Sequence, residues 1–172
     1  MRIAAIIPAR YKSTRLQGKV LADIAGKPMI QHVYERTAQC SHLAEVAVAT
    51  DDERVQQAVT DFGGRCVMTA ADHRSGTDRI AEVAEAGEYD IIVNIQGDEP
   101  MIQPDVIEAA VEPFLHGETP RMGTVATPIT DEREHQDPSA VKVVVDQAGF
   151  ALYFSRASIP YFRPGGGESS FE

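Results

Sequence analysis

The spacing of apolar residues changes several times along the chain, and each change marks an element. Ile3 to Pro8 is an unbroken apolar run without alternation, which predicts a central parallel strand covered on both faces by helices. After a polar, basic loop, Pro28 opens a segment in which Met29, Ile30, Val33 and Tyr34 recur at helical spacing. Glu45 to Thr50 predicts the next strand. Thr50 followed by Glu53 fits a capping box for a helix with Val55, Ala58, Val59 and Phe62 on its apolar face and a stop at Gly63-Gly64. Arg65 to Met68 predicts a third strand, Thr77 to Ala86 a third helix, Ile91 to Gln96 a fourth strand and Pro104 to Leu115 a further helix. Gly123 to Pro128 reads as another strand.

This alternation predicts an α/β fold, an open and mostly parallel sheet flanked by helices, built from right-handed βαβ units. Ligands of such sheets bind beyond the carboxyl ends of the strands. From Val141 the pattern changes: VKVVVD, QAG and FALYFSR predict a late antiparallel hairpin around a turn in which Gly149 takes positive φ. Residues 163–172, rich in glycine and serine, read as a mobile loop or tail. At 172 residues the expectation is one domain with one core.

Charge narrows the functional classes. Sixteen Lys and Arg against 26 Asp and Glu give a net charge of −10, which argues against broad attraction to nucleic acid or anionic membranes. An anionic ligand then needs a local basic cluster. The sequence contains no apolar stretch of membrane-spanning length, and Met-Arg-Ile runs directly into the first strand, so the expected location is cytoplasmic. Cys40 and Cys66 lack the paired spacing of a zinc or redox motif and read as ordinary thiols. His32, His42, His116 and His135 have no metal-binding spacing, and no Ser-His-Asp elbow is visible.

Three polar segments could carry chemistry. The loop after the first strand places Arg10, Lys12, Arg15 and Lys19 within ten residues, with Ser13 among them. Arg forks, Lys point charges and a hydroxyl suit a triphosphate; a solvated basic loop fits the same residues. The loop is neither a Walker sequence nor a Rossmann fingerprint, which counts against an NTPase and a dehydrogenase. In Gln96-Gly97-Asp98-Glu99-Pro100, Asp98 would stand at the sheet's carboxyl edge, where it could hold Mg²⁺ beside phosphates or serve only as a turn residue. In Asp72 to Arg79, Ser75 or Thr77 could cap a helix, or the segment could meet a base or ribose. Arg156, on the late hairpin, is either a surface residue or a partner for a sugar carboxylate.

Taken together, IIPARYKSTRLQGK, ADHRSGTDR, VNIQGDEP and AVKVVVD…ALYFSRASIP resemble the CMP-KDO synthetase family, from about Ile6 to Pro160. CMP-sialic acid synthetases share the first loop, whereas QGDEP with YFSRASIP is more particular to activation of KDO (3-deoxy-manno-octulosonate). The resemblance implies a nucleotide-diphospho-sugar transferase-like fold and an Mg²⁺-dependent transfer of CMP from CTP to KDO for lipopolysaccharide biosynthesis. Arg10, Ser13 and Lys19 are then expected as CTP phosphate ligands, Arg10, Lys19 and Asp98 as the catalytic set, and Asp98 as the metal ligand. The same resemblance places Arg74, Ser75 and Gly76 near the cytidine, and Arg15, Gln96 and Arg156 near the sugar acid. Two alternatives stand beside it, a CMP-sialic acid synthetase and a non-catalytic CTP-binding fragment. The chain departs from the family in having Gln17 where Pro is usual. Family members also continue beyond this chain's last residue, through a sugar-contacting His, a late Asp that completes metal binding and part of a homodimer surface.

Overall fold

A computed structural model describes residues 1–12, 16–116 and 120–161, and the chain divides into two compact units, Met1–Gly123 and Thr124–Glu172. The tail expected at 163–172 lies outside the described residues.

The first unit begins with β1 (Ile3–Pro8), followed by a 3₁₀ turn at Lys19–Leu21 and a small antiparallel ribbon of β2 (Asp23–Ile24) and β3 (Lys27–Pro28). The ribbon turns at Ala25 (φ 52°) and Gly26 (φ 84°), both left-handed, as a two-residue hairpin turn of this hand requires. Ala-Gly is a poor advertisement for such a turn, which is why the sequence pattern does not reveal it. Then come α1 (Met29–Thr37), β4 (Glu45–Thr50), α2 (Glu53–Asp61), β5 (Cys66–Met68), α3 (Gly76–Glu85), β6 (Ile91–Asn94) and α4 (Pro104–Leu115).

Four strands pair in the order β5-β4-β1-β6, all parallel, with Ile6 opposite both Ala47 and Asn94. Successive residues of β1 point to opposite faces and into separate cores. Ala5 and Ile7 pack with Val46, Val48, Ile30, Val33, Val55, Val59 and Ile107, the faces of α1, α2 and α4. Ala4 and Ile6 pack with Ala47, Ala49, Ile80 and Val83, the face of α3. Burial on both sides explains the unbroken apolar run at Ile3 to Pro8. The alanines on the α3 side leave room for that helix close to the sheet.

Three local expectations need correction. The cap of α2 is Asp52, whose carboxylate accepts from the Arg54 N–H, not Thr50. Thr50 still belongs to β4, and its hydroxyl accepts from the Asp52 N–H at 3.3 Å, so it tightens the turn before the helix. The strand expected over Gly123 to Pro128 does not form: these residues are largely exposed and have no regular structure. A strand-like segment without a neighbouring strand to take its N–H and C=O groups does not make a strand. The fourth parallel strand also stops at Asn94, although the Ile95 N–H still reaches the Ile6 carbonyl at 3.1 Å.

The second unit contains α5 (Glu132–Gln136) and the expected antiparallel hairpin, β7 (Lys142–Val145) with β8 (Ala151–Ser155). Asp146 Oδ1 accepts from the N–H groups of Ala148 and Phe150, each at 2.9 Å, and Gly149 takes φ 85°. Lys142 is buried, and its ammonium donates to the carbonyls of Asp137, Ala140 and Arg156 at 2.7 to 3.0 Å. A buried Lys is tolerated where such acceptors replace its water shell.

Candidate functional site

The three polar segments singled out in the sequence meet at the carboxyl end of β1. Arg10 follows that strand and turns toward the loop between β5 and α3, where its two terminal nitrogens donate to the carbonyls of His73 (2.8 Å) and Arg74 (3.4 Å). Its Nε is buried without a hydrogen-bond partner among the described residues. On the other side, Lys19 Nζ donates to Asp98 Oδ2 at 2.8 Å, which joins the basic loop to the turn after β6.

Glycines make this convergence possible. A Cβ on Gly97 would stand 2.9 Å from the Pro8 carbonyl oxygen, so the turn carrying Asp98 lies against the backbone of β1 only because residue 97 has no side chain. A Cβ on Gly76, the first residue of α3, would come within 3.3 Å of the Pro8 ring. The Gly18 N–H closes the basic loop on the Tyr11 carbonyl at 2.8 Å, with φ 70° at Gly18.

Tyr11 is braced in turn. The Arg54 guanidinium lies 3.4 Å from the centroid of its ring, a cation–π stack, and is held there by two bonds to the Asp52 carboxylate at 2.9 and 2.7 Å. The same contact with Arg54 holds the Asp52 carboxyl below its ordinary range. The brace connects α2 to the basic loop.

The loop from Thr69 to Ser75 is fastened to α3. Ser75 Oγ accepts from the Asp78 N–H, and Asp78 Oδ2 accepts from the Ser75 N–H at 2.9 Å, a full capping box that lowers the Asp78 pKa. Arg79, with no exposed surface, donates to Thr69 Oγ1 and pairs with Asp51 at 3.2 Å. His73 Nε2 bonds the Glu82 carboxylate, which also accepts from the Ala70 N–H at 3.0 Å.

Of the residues expected from the sequence, Arg10, Lys19, Asp98, Arg74, Ser75 and Gly76 belong to this convergence. Gln96 lies at the same edge, its amide donating to Asn94 Oδ1 at 2.9 Å. Ser13 and Arg15 lie outside the described residues. Arg156 belongs to the second unit, where it donates to the carbonyls of Pro138 (2.9 Å) and Ser139 (3.2 Å). Sequence reasoning missed Tyr11, Asp52, Arg54, His73, Arg79 and Glu82 as supports. Their partners are distant in the chain or separated by nonperiodic spacing, so no local pattern joins them.

Among the described residues no group of three or more His, Cys, Asp or Glu side chains is placed to hold a metal, and no helix is long and apolar enough to cross a membrane. The nucleophile candidates are equally sparse: Cys40 is buried, and burial pushes the Cys66 thiol up to about 11. The chemistry this edge can perform is anion binding by fixed cations, with one carboxylate among them.

Comparisons with known proteins place the chain in one family. A cytidylyltransferase family model matches residues 4–168. The 3-deoxy-manno-octulosonate cytidylyltransferase of Geobacter sulfurreducens is 56% identical over 163 residues, covering 95% of this chain and 65% of the relative. That of Geotalea uraniireducens is 57% identical over the same span, with the same coverage. The chain therefore spans about 65% of the length of the curated relatives it matches. A solved CMP:2-keto-3-deoxy-manno-octonic acid synthetase complexed with CTP superposes with a TM-score of 0.86 at 50% identity, covering 95% of this chain and 68% of that one. By sequence and by fold, the chain belongs to the cytidylyltransferase family, in its CMP-KDO synthetase group.

Proposed function

We propose that this chain carries the nucleotide-binding portion of an enzyme that transfers CMP from CTP to KDO and releases pyrophosphate. The observation that carries the reading is the 2.8 Å contact of Lys19 with Asp98 at the carboxyl edge of the sheet, beside Arg10. The relatives' names supply the substrate class and favour KDO over sialic acid.

In this reading the anomeric hydroxyl oxygen of KDO bonds to the α-phosphorus of CTP as the α–β phosphoanhydride bond breaks. The bonding pair leaves on pyrophosphate, and the hydroxyl proton passes to water. No protein nucleophile takes part. Arg10, Lys19 and Ser13 hold the phosphates and offset the charge that develops on them, while Arg74, Ser75 and Gly76 face the cytidine. Gln96, Arg15 and Arg156 serve the sugar acid. Ser75 can do so only through atoms its capping bonds leave over, and Arg156 only through the guanidinium N–H groups not given to Pro138 and Ser139.

Asp98 suits Mg²⁺, which binds through one or two carboxylates plus substrate phosphates rather than a full protein cage. When bound, that ion would supply charge neutralisation at the phosphates. Until nucleotide enters, Lys19 and Asp98 neutralise each other. A cytoplasmic location, a role in lipopolysaccharide biosynthesis and a homodimer complete the proposal. The chain's net charge of −10 argues against nucleic-acid or membrane partners.

The deciding assay is pyrophosphate release by this chain with CTP and Mg²⁺, comparing KDO, sialic acid and no sugar, alongside the rise in melting temperature that CTP produces. KDO-dependent release supports the reading. CTP stabilisation without release supports the alternative of a CTP-binding fragment. The absence of both signals would sink the proposal.

A further inference from the structure

Arg10 is aimed by backbone carbonyls, not by a carboxylate. A guanidinium that donates to the carbonyls of His73 and Arg74 has no carboxylate bonded directly to it among the described residues, so it stays more open to an anion than an Asp or Glu partner would leave it, although its charge adds to the Ser75 hydrogen bonds that hold the nearby Asp78 carboxyl below its ordinary range. The cost is that its direction depends on a loop holding still. That loop, between β5 and α3, contains no regular structure from Thr69 to Ser75.

One carboxylate fastens it. Glu82 stands on α3, one turn beyond the capping box, and its Oε2 accepts from two points of the loop, the Ala70 N–H at 3.0 Å and the His73 ring Nε2. Because a carboxylate only accepts, the His73 ring must carry its proton on Nε2. His73 is thereby held at its side chain by Glu82 and offers its carbonyl to Arg10 at 2.8 Å. Neither Glu82 nor His73 belongs to the residues read above as ligands of CTP or sugar.

We infer that Glu82 is a positioning residue for the nucleotide's phosphates, which acts through His73 to set the direction of the Arg10 guanidinium. The inference rests on the reading of Arg10 as a CTP ligand. Arg79, anchored on the same helix to Thr69 and Asp51, holds the start of the loop, and Glu82 holds its middle.

The test is a thermodynamic cycle on CTP affinity, measured by calorimetry for the parent, Glu82→Ala, Arg10→Ala and the double variant. If Glu82 works through Arg10, Glu82→Ala weakens CTP binding about tenfold in the parent, the size of one charged contact, and has almost no effect once Arg10 is absent. Glu82→Gln, which keeps an acceptor oxygen, returns most of the affinity. Equal losses in both backgrounds overturn the inference, as does full CTP affinity in Glu82→Ala while Arg10→Ala has lost it. Unchanged affinity in Arg10→Ala is a different failure, that of Arg10 as a ligand. Should Glu82→Ala not fold, His73→Ala removes the same link from its other end. Hydrogen exchange over residues 70–75 reads the loop without any nucleotide: faster exchange in Glu82→Ala is expected, and unchanged rates overturn the clamp.

Discussion

Lys19 and Asp98, 79 positions apart in the chain, meet at 2.8 Å between the loop after β1 and the turn after β6. The pair is open to water, with 38% and 52% of the two side chains exposed, so it contributes little to stability, about 0 to 1 kcal/mol. In the proposed function its importance is chemical: the cation and the anion stand together where phosphate and metal would part them.

Asp98→Asn separates the two roles. Turnover in the pyrophosphate assay should fall at least about a hundredfold, the size of losing one fixed electrostatic contact in a transition state. The melting temperature should move by no more than a few degrees, since the exposed pair adds little. Near-normal turnover would remove Asp98 from the metal and catalytic assignments.

Gly97→Ala tests the backbone contact that brings Asp98 to the site. The new methyl would press on the Pro8 carbonyl oxygen at 2.9 Å, and neither side of that contact is a flexible side chain. We expect a loss of about 1 to 3 kcal/mol in urea denaturation, together with weaker CTP stabilisation. A variant as stable and as active as the parent would show that the turn after β6 has slack.

Asp51→Ala exposes the dependence of the α3 loop on a buried cation. Arg79 has no exposed surface, and its Nε has no hydrogen-bond partner among the described residues, so removing its carboxylate partner leaves a charge that water cannot reach. The expected loss is about 2 to 3 kcal/mol, short of the 3 to 5 kcal/mol of a fully buried pair because Asp51 keeps a quarter of its side chain in water. Chemical denaturation would measure it, and a loss under about 0.5 kcal/mol would mean that Thr69 alone satisfies the guanidinium.

Acid should destabilise the fold in a definite window. Arg54 beside Asp52 and His73 beside Glu82 hold those carboxyl groups below their ordinary range. A carboxylate with a depressed folded pKa contributes its full stability above the unfolded value, near pH 4, and loses it as pH falls through the folded value. Melting temperature should therefore be level from about pH 7 to pH 5 for these groups and fall below about pH 4. Asp52→Asn, which keeps the capping oxygen but not the charge, should flatten that fall; an unchanged acid limb would point to other carboxylates.

Much of the fold was legible because its signals are local. An apolar run such as Ile3 to Pro8 states that both faces of the strand are buried, and helical spacing in Met29 to Tyr34 or Val55 to Phe62 states which side is covered. The clusters around Arg10, Asp98 and Ser75 were legible for the same reason: polar residues gathered after strands, which in a parallel sheet means one shared edge. The motifs also carried the family, which the relatives confirm over 95% of the chain.

Tertiary structure decided what distance in the chain conceals. The contact of Lys19 with Asp98, the fit of Gly97 and Gly76 against Pro8 and the stack of Arg54 on Tyr11 each join segments whose meeting depends on strand order, and the hold of Glu82 on His73 depends on how the loop folds back along α3. It also decided against the strand over Gly123 to Pro128, because a strand needs a neighbour as well as a pattern. Sequence determined the elements and the chemistry available, since propensity and charge are properties of residues. Which cation faces which anion was settled by the fold, since an electrostatic contact is a property of distance.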